Sequence, residues 1–214
     1  MILVKPSFEI LTRIDIPKIL GNIERAGRTC YKSEAKITQD SAREFVAKII
    51  ASGHHSVLEH ENISVKIICD RGVTHEIVRH RLAAYSQEST RYCNYKGGVT
   101  FVIPPWVNIK EGDHSIDLTL LPEELNVEYL WLLHMGLAER DYIQLLNQGW
   151  SPQQARSVLP NSLKTEIVIT ANIREWRHIL NLRTSKAAHP QMQEIMMPIL
   201  TEFSRLIPVL FSNL

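Results

Sequence analysis

Cysteine is scarce in this sequence and carries no pattern. The three present, Cys30, Cys69 and Cys93, show neither CxxC nor any other metal-ligand spacing, and an odd count argues against a disulfide framework. A reducing, cytoplasmic setting is the expectation. No apolar run reaches the roughly 18 residues of a membrane span. The opening stretch MILVKPSFEILTRIDIP is interrupted by Lys5, Glu9 and Arg13, so neither a signal peptide nor a membrane partner is expected. An excess of one charge is missing too, since 24 basic residues meet 23 acidic ones for a net +1. A nucleic-acid-binding domain normally carries a strongly basic face, so no nucleic-acid partner is expected and any anion site must be local. No repeat or linker divides the 214 residues, and a composition 44% hydrophobic and 22% charged is that of an ordinary globular chain. One domain spanning 1–214 is predicted.

Periodicity supplies the elements. Strands are predicted over residues 1–4 and 9–14, followed by a helix capped by Asp15 and starting at Pro17, with Ile19, Leu20, Ile23 and Ala26 inward. Thr38 or Asp40 opens a second helix that Gly53 stops. From Glu61, Ile63, Val65, Ile67 and Cys69 alternate with polar residues, the period of a strand with one buried face. Asp70, Arg71 and Gly72 then turn the chain, and Thr74 caps a short helix carrying Glu76, Arg79 and His80. Further on come a strand at 99–103, a loop at 106–121 and a helix from Pro122 to about Gln148. Ser151 and Pro152 open a short helix containing Arg156. A strand follows at 164–171, then a helix capped by Asn172, where Glu175 approximates a capping box and Trp176, Ile179 and Leu180 form the buried stripe. Arg174, His178 and Asn181 line another face of that helix. A terminal helix over 191–210 is interrupted by Pro198 and Pro208.

The densest chemistry lies in residues 79–92, RHRLAAYSQESTRY, where arginine forks and hydroxyls combine as in an anion site. On a helix Arg79, His80 and Arg81 would stand about 100° apart and address different targets. They fit a bulky cofactor, two adjacent ligands or a site shared by subunits. His54, His55, Glu59 and His60 form a second cluster, but a preceding glycine stop and a following strand make helical metal-ligand geometry doubtful, so no metal is predicted.

The pattern RHR, seven residues, Ser89, then Arg91 and Tyr92 resembles the signature of the flavin-dependent thymidylate synthases. Three further stretches are similar to that family in the same order. Gly53, His54 or His55, Glu59 and His60 match a GHxxxxEH-like segment, GWSPQQARSVLP matches G(x)5AR(x)2LP, and NIREWRHILNLR matches a helix that ends in Leu-Arg. The matched stretches touch about half of the chain. Ala84 and Met196 depart from the residues common there, Ser and Arg, and Gln87 stands where some members have an acidic residue.

The resemblance implies an α+β fold with a central sheet flanked by helices, and a homotetramer with sites at subunit junctions. It implies reductive methylation of dUMP to dTMP, with methylenetetrahydrofolate as carbon donor, FAD as bound redox cofactor and NADPH as reductant. Arg183 is implied as the catalytic cation that favours loss of the pyrimidine N3 proton. Substrate contacts fall to Glu76, Arg79, Gln87, Glu88, Ser89, Thr90, Arg91, Arg156 and Arg183. Flavin contacts fall to Ser56, Arg79, His80, Arg81, Gln87, Asn172, Arg174 and His178. Two rival functions are a noncatalytic nucleotide-binding regulatory module and a metal-dependent phosphohydrolase built on the histidine cluster.

Overall fold

The computed structural model describes residues 1–121, 123 and 125–214. The fold is α+β, with two sheets and eight α-helices among the described residues. The chain divides into two compact units, one made of Met1–Ser7, Ile67–Ile77 and Ser86–Ile167, the other of Phe8–Lys66, Val78–Tyr85 and Val168–Leu214.

In the first unit, β1 (Ile2–Val4) pairs in parallel with β5 (Thr100–Val102) and antiparallel with β6 (Gly112–Asp113). Leu3 lies opposite Phe101, and both are fully buried with Val99, Ile103, Tyr142 and Leu163 in one apolar cluster. Tyr142 belongs to α4 (Val127–Asn147), which Asn126 caps by accepting from the Tyr129 amide at 2.9 Å. The predicted start of this helix at Pro122 lies outside the described residues. The stretch predicted as a plain loop contains β6, whose register is set by pairing with β1, a partner more than a hundred residues away in the chain. No local pattern encodes such a strand.

A second sheet has the order β2, β3, β7, β4. Its long strands, β3 (Asn62–Asp70) and β7 (Lys164–Asn172), each contribute residues to both units. The predicted alternation holds in both: Ile63, Val65, Ile67 and Cys69 are buried on one, Thr165, Ile167, Ile169 and Ala171 on the other. Burial pushes the Cys69 thiol pKa up, so this sulfur stays an unreactive core atom. β2 (Ser7–Ile10) begins earlier and is shorter than predicted. Beyond it the Leu11 amide bonds the Ser64 carbonyl, and Thr12 Oγ1 accepts from the Ser64 amide at 2.8 Å, so side-chain bonding replaces the ladder.

In the second unit, α1 (Ile16–Tyr31) starts as predicted, with Asp15 accepting from the Lys18 amide. Its inward face includes Gly27 rather than Ala26, because the Phe45 ring of α2 (Ser41–Ala51) sits where a Gly27 Cβ would be, at 2.6 Å. The histidine segment forms a 3-10 helix, His55–His60, instead of the α-helix that metal-ligand spacing would need. In α6 (Ile173–Arg183) the predicted stripe is buried, and Trp176 Nε1 donates to the Ile63 carbonyl at 2.8 Å. The Trp176 ring meets Phe203 edge-on at 5.3 Å, and Phe203 meets Phe211 at 4.9 Å. Those phenylalanines come from α7 (Pro190–Leu206) and α8 (Pro208–Phe211); Pro198 is accommodated inside α7 instead of ending it.

Candidate functional site

The first unit holds one set of predicted residues. β3 delivers the chain into α3 (Arg71–Ile77), and Asp70, not the predicted Thr74, starts this helix: its carboxylate accepts from the Val73 amide at 2.8 Å. Glu76 lies on α3 and is partly buried. The end of β4 (Ala83–Gln87) is pinned to it, since Gln87 Nε2 donates to Thr74 Oγ1 at 3.0 Å and to Thr165 Oγ1 at 3.2 Å. Next, Glu88 accepts from the Tyr95 hydroxyl at 2.6 Å and from Lys164 Nζ at 3.1 Å, while Lys164 also reaches Glu166 at 2.6 Å. Burial and the Glu88 bond raise the Tyr95 pKa, keeping the phenol a donor. Burial works against the Lys164 charge, but its bonds to Glu166 and Glu88 outweigh that and raise its pKa.

Anchored in this way, residues 89–93 form a tight turn: the Tyr92 and Cys93 amides both donate to the Ser89 carbonyl, and the Arg91 amide reaches Ser89 Oγ at 3.3 Å. Thr90 is buried, and its Oγ1 accepts from Arg156 Nη1 at 2.9 Å. Arg156 sits in a 3-10 turn, Arg156–Val158, following α5 (Pro152–Ala155), rather than in the predicted helix itself. That bond joins two segments 66 residues apart. The guanidinium of exposed Arg91 stands 5.4 Å over the Tyr92 ring. The set therefore presents two exposed guanidiniums beside a serine and a threonine, donors suited to a phosphate. Its carboxylate, Glu88, is turned onto Tyr95 and Lys164. Neither of those residues was singled out in the sequence, although Lys164 and Glu166, two apart on one face of a strand, carried the signal.

The second unit holds the other set. The predicted helix through Arg79 and His80 does not form: α3 ends at Ile77, and residues 78–82 are a turn leading into β4. The RHR residues are sorted by burial instead of by helical angle. Arg79 and Arg81 are exposed, whereas His80 is only 6% exposed. The turn is held by the Tyr85 hydroxyl, which donates to the His80 carbonyl at 2.7 Å.

Around the His80 ring, Nε2 accepts from Arg183 Nε at 3.0 Å and Nδ1 stands 3.6 Å from a Glu175 carboxylate oxygen. The His178 ring approaches edge-on, with centroids 5.6 Å apart. Burial, then the Arg183 charge, then His178 lower the His80 pKa to about 4, so the ring is neutral near pH 7. Burial, then Glu175, raise the Tyr85 pKa to about 12, with Arg183 opposing. Glu175 does not complete the predicted capping box. Asn172 caps α6 alone, accepting from the Glu175 amide at 2.8 Å, and the Glu175 side chain turns to His80.

The remaining predicted residues face outward. Arg174 and His178 are exposed on α6, and Arg174 pairs with Glu59 of the 3-10 helix at 2.5 Å, beside which Ser56 is also exposed. An exposed pair of this kind contributes at most about 1 kcal/mol and yields readily to a ligand. His54 Nδ1 contacts the Tyr31 hydroxyl, and His55 Nε2 contacts the Ile50 carbonyl. Among the described residues, the three-residue grouping whose ligand atoms lie within 4.8 Å of one another is His80, Glu175 and His178, not the 54–60 cluster.

Comparison with known proteins gives the family. The family model for thymidylate synthase complementing protein matches residues 15–209. A flavin-dependent thymidylate synthase of Mycobacterium sp. (strain JLS) is 35% identical over 202 residues, covering 89% of this chain and 78% of that protein. Its counterpart in Mycobacterium tuberculosis (strain ATCC 25177 / H37Ra) is 34% identical over 197 residues with the same coverage. Among solved structures, the UMP/dUMP methylase PolB of Streptomyces cacaoi, crystallised with 5-Br dUMP, superposes with a TM-score of 0.75 over 99% of this chain and 96% of that one. At 24% identity that likeness speaks to the fold. The match over residues 15–209, taken with relatives at 35% identity along most of their length, places the chain in the thymidylate synthase complementing protein family, the flavin-dependent thymidylate synthases.

Proposed function

We propose that the protein methylates dUMP to dTMP with methylenetetrahydrofolate as carbon donor, FAD as bound cofactor and NADPH as reductant. Its relatives are named flavin-dependent thymidylate synthases, and the similarly folded PolB is described as a UMP/dUMP methylase. The observation that carries the reading on this chain is the Arg156–Thr90 bond, which brings two motifs together as a phosphate-binding set with Arg91 and Ser89. In that set Arg91 and Arg156 take the nucleotide phosphate, while Ser89, Thr90 and Glu76 supply further polar contacts. Gln87 and Glu88 act chiefly by holding the turn, since their side chains are spent on Thr74, Thr165, Tyr95 and Lys164.

The second unit's residues fit a flavin dinucleotide. Exposed Arg79, Arg81 and Arg174 suit a pyrophosphate, with Ser56 and Asn172 as neutral partners and His178 as a ring that can meet another ring. A flavin held there would supply, in its reduced form, the hydride that a methyl product requires. The chain's own contribution to the pyrimidine is Arg183. Fixed beside the ring, its charge favours loss of the N3 proton and raises electron density at C5, the carbon that gives up its proton and forms the new bond to the methylene. No thiolate is required, and Cys93 has no assigned role.

The phosphohydrolase reading gains one specific observation, the His80, Glu175 and His178 grouping. A metal there would stand against the Arg183 guanidinium, already bonded to His80, and the like charges would repel. We read the two units as one functional domain of a cytoplasmic homotetramer, in keeping with three free cysteines, one of them exposed. The test is turnover: purified protein with FAD, NADPH, methylenetetrahydrofolate and dUMP should form dTMP and release tritium from the pyrimidine 5-position. A protein that takes up no FAD and forms no dTMP would refute the reading.

A further inference from the structure

Glu175 has no part in the chemistry described so far, yet its side chain is buried, with 7% of the residue exposed. Burying a carboxylate costs several kcal/mol unless something compensates, so its position asks for a reason. Its neighbours supply one. Arginine can only donate, so the 3.0 Å contact from Arg183 Nε requires a lone pair on His80 Nε2. A neutral imidazole with a lone pair on Nε2 carries its proton on Nδ1, and Nδ1 is the atom facing Glu175 at 3.6 Å. That separation is too long for a hydrogen bond but short enough for the carboxylate to favour a proton on the facing nitrogen.

We propose that Glu175 is a positioning residue: it holds the His80 proton on Nδ1, leaving Nε2 to receive Arg183 Nε and fix the direction of the guanidinium's other N–H groups. The inference rests on the reading of Arg183 as the pyrimidine-activating cation and deepens it. Without the carboxylate the ring is free to take the other tautomer, whose Nε2–H would confront Arg183 Nε–H, donor against donor. The guanidinium would then swing out of line, and preorganisation would be lost without any loss of charge. His80 is accordingly spent on Arg183, and its exposed neighbours Arg79 and Arg81 are left to face ligands.

The Glu175→Gln holoenzyme is the primary test, because a glutamine keeps the volume but can donate to Nδ1 and so favour the wrong tautomer. Heteronuclear NMR of ring-labelled histidine, with His80 identified by its disappearance in His80→Gln, should show Nδ1–H in the unaltered protein and a shift toward Nε2–H in Glu175→Gln. Tritium release from the 5-position of dUMP should fall on the order of tenfold in kcat, with the KM for dUMP little changed. A His80→Gln side chain can place an acceptor near the former Nε2 without any tautomer to control. Adding Glu175→Gln to His80→Gln should therefore cost less than about twofold more. If Glu175→Gln does not fold, the tautomer in the unaltered protein still decides, as does a comparison in which His80→Gln outperforms His80→Asn, whose shorter amide cannot reach that place. An Nε2–H tautomer in the unaltered protein, parent-rate tritium release in Glu175→Gln, an undiminished drop in the double variant, or His80→Asn matching His80→Gln would overturn the proposal. Arg183→Ala run alongside separates the layers. Should it release tritium at the parent rate, the reading beneath fails; should it be slow while Glu175→Gln is not, only the positioning role fails.

Discussion

The two units treat their cations differently. In the first, Arg91 and Arg156 are exposed, and the carboxylate beside them is tied back to Tyr95 and Lys164. In the second, Arg183 is partly withdrawn from solvent and bonded to a buried neutral histidine that a buried carboxylate faces. An exposed guanidinium can grip a ligand oxygen but is hydrated, screened and free to reorient. One held from behind loses that freedom before the ligand arrives, which is the condition for stabilising charge as it develops. On the proposed reading, the contrast separates holding a nucleotide from changing its reactivity.

The contrast can be broken first at the exposed pair. Removing Arg91 and Arg156 together should raise the KM for dUMP by about a hundredfold, some tenfold for each charge-assisted contact, with kcat at saturation little affected. The effect should weaken as salt is added, since the contacts are at the surface. Steady-state kinetics on the single and double variants at two ionic strengths would decide it; a fall in kcat instead would erase the distinction between the units. Next, Tyr95→Phe removes the hydroxyl that Glu88 accepts and should lower unfolding free energy by about 1–3 kcal/mol, read from denaturant midpoints. An unchanged midpoint would mean the turn at residues 89–93 is held by other bonds.

How much of this contrast was legible from residues alone depends on how local the cause is. The buried faces of β3 and β7 were legible because alternation is written along each strand, and the starts of α1 and α6 because Asp15 and Asn172 act within three residues. The resemblance puts Arg156 with Ser89, Thr90 and Arg91 at one ligand, but the direct bond from Arg156 to Thr90 is not legible, since no spacing encodes a contact across 66 residues. The role of Glu175 is hidden for the same reason. Its position three after Asn172 fits a capping box, and only the arrival of the 78–82 turn makes His80 the better partner. The helix expected through Arg79 fails likewise: with the Tyr85 hydroxyl taking the His80 carbonyl, the chain turns into β4 instead of continuing.

Acidity sharpens the contrast further. His80 is faced by Glu175, Arg183 and His178 from α6 and by Tyr85 from β4, and its folded pKa lies near 4 against an ordinary 6.5. Because the unfolded chain binds this proton more readily, stability should be unaffected by His80 above about pH 6.5 and should decline as the pH falls toward 4. Melting temperatures of the parent and His80→Gln proteins across that range would show it as a shallower decline in the variant. Parallel curves would assign the acid sensitivity to other groups. The smallest effect belongs to Cys93→Ala, which should keep turnover within about twofold, whereas loss of a true nucleophile removes several orders of magnitude.

The most direct test follows both half-reactions in one Arg183→Ala preparation. Flavin bleaching by NADPH should survive in part, because it forms no pyrimidine anion, while tritium release from the 5-position at saturating dUMP should fall about a hundredfold or more, the scale of losing one preorganised donor. Tritium release at the parent rate would contradict the assignment of pyrimidine activation to Arg183.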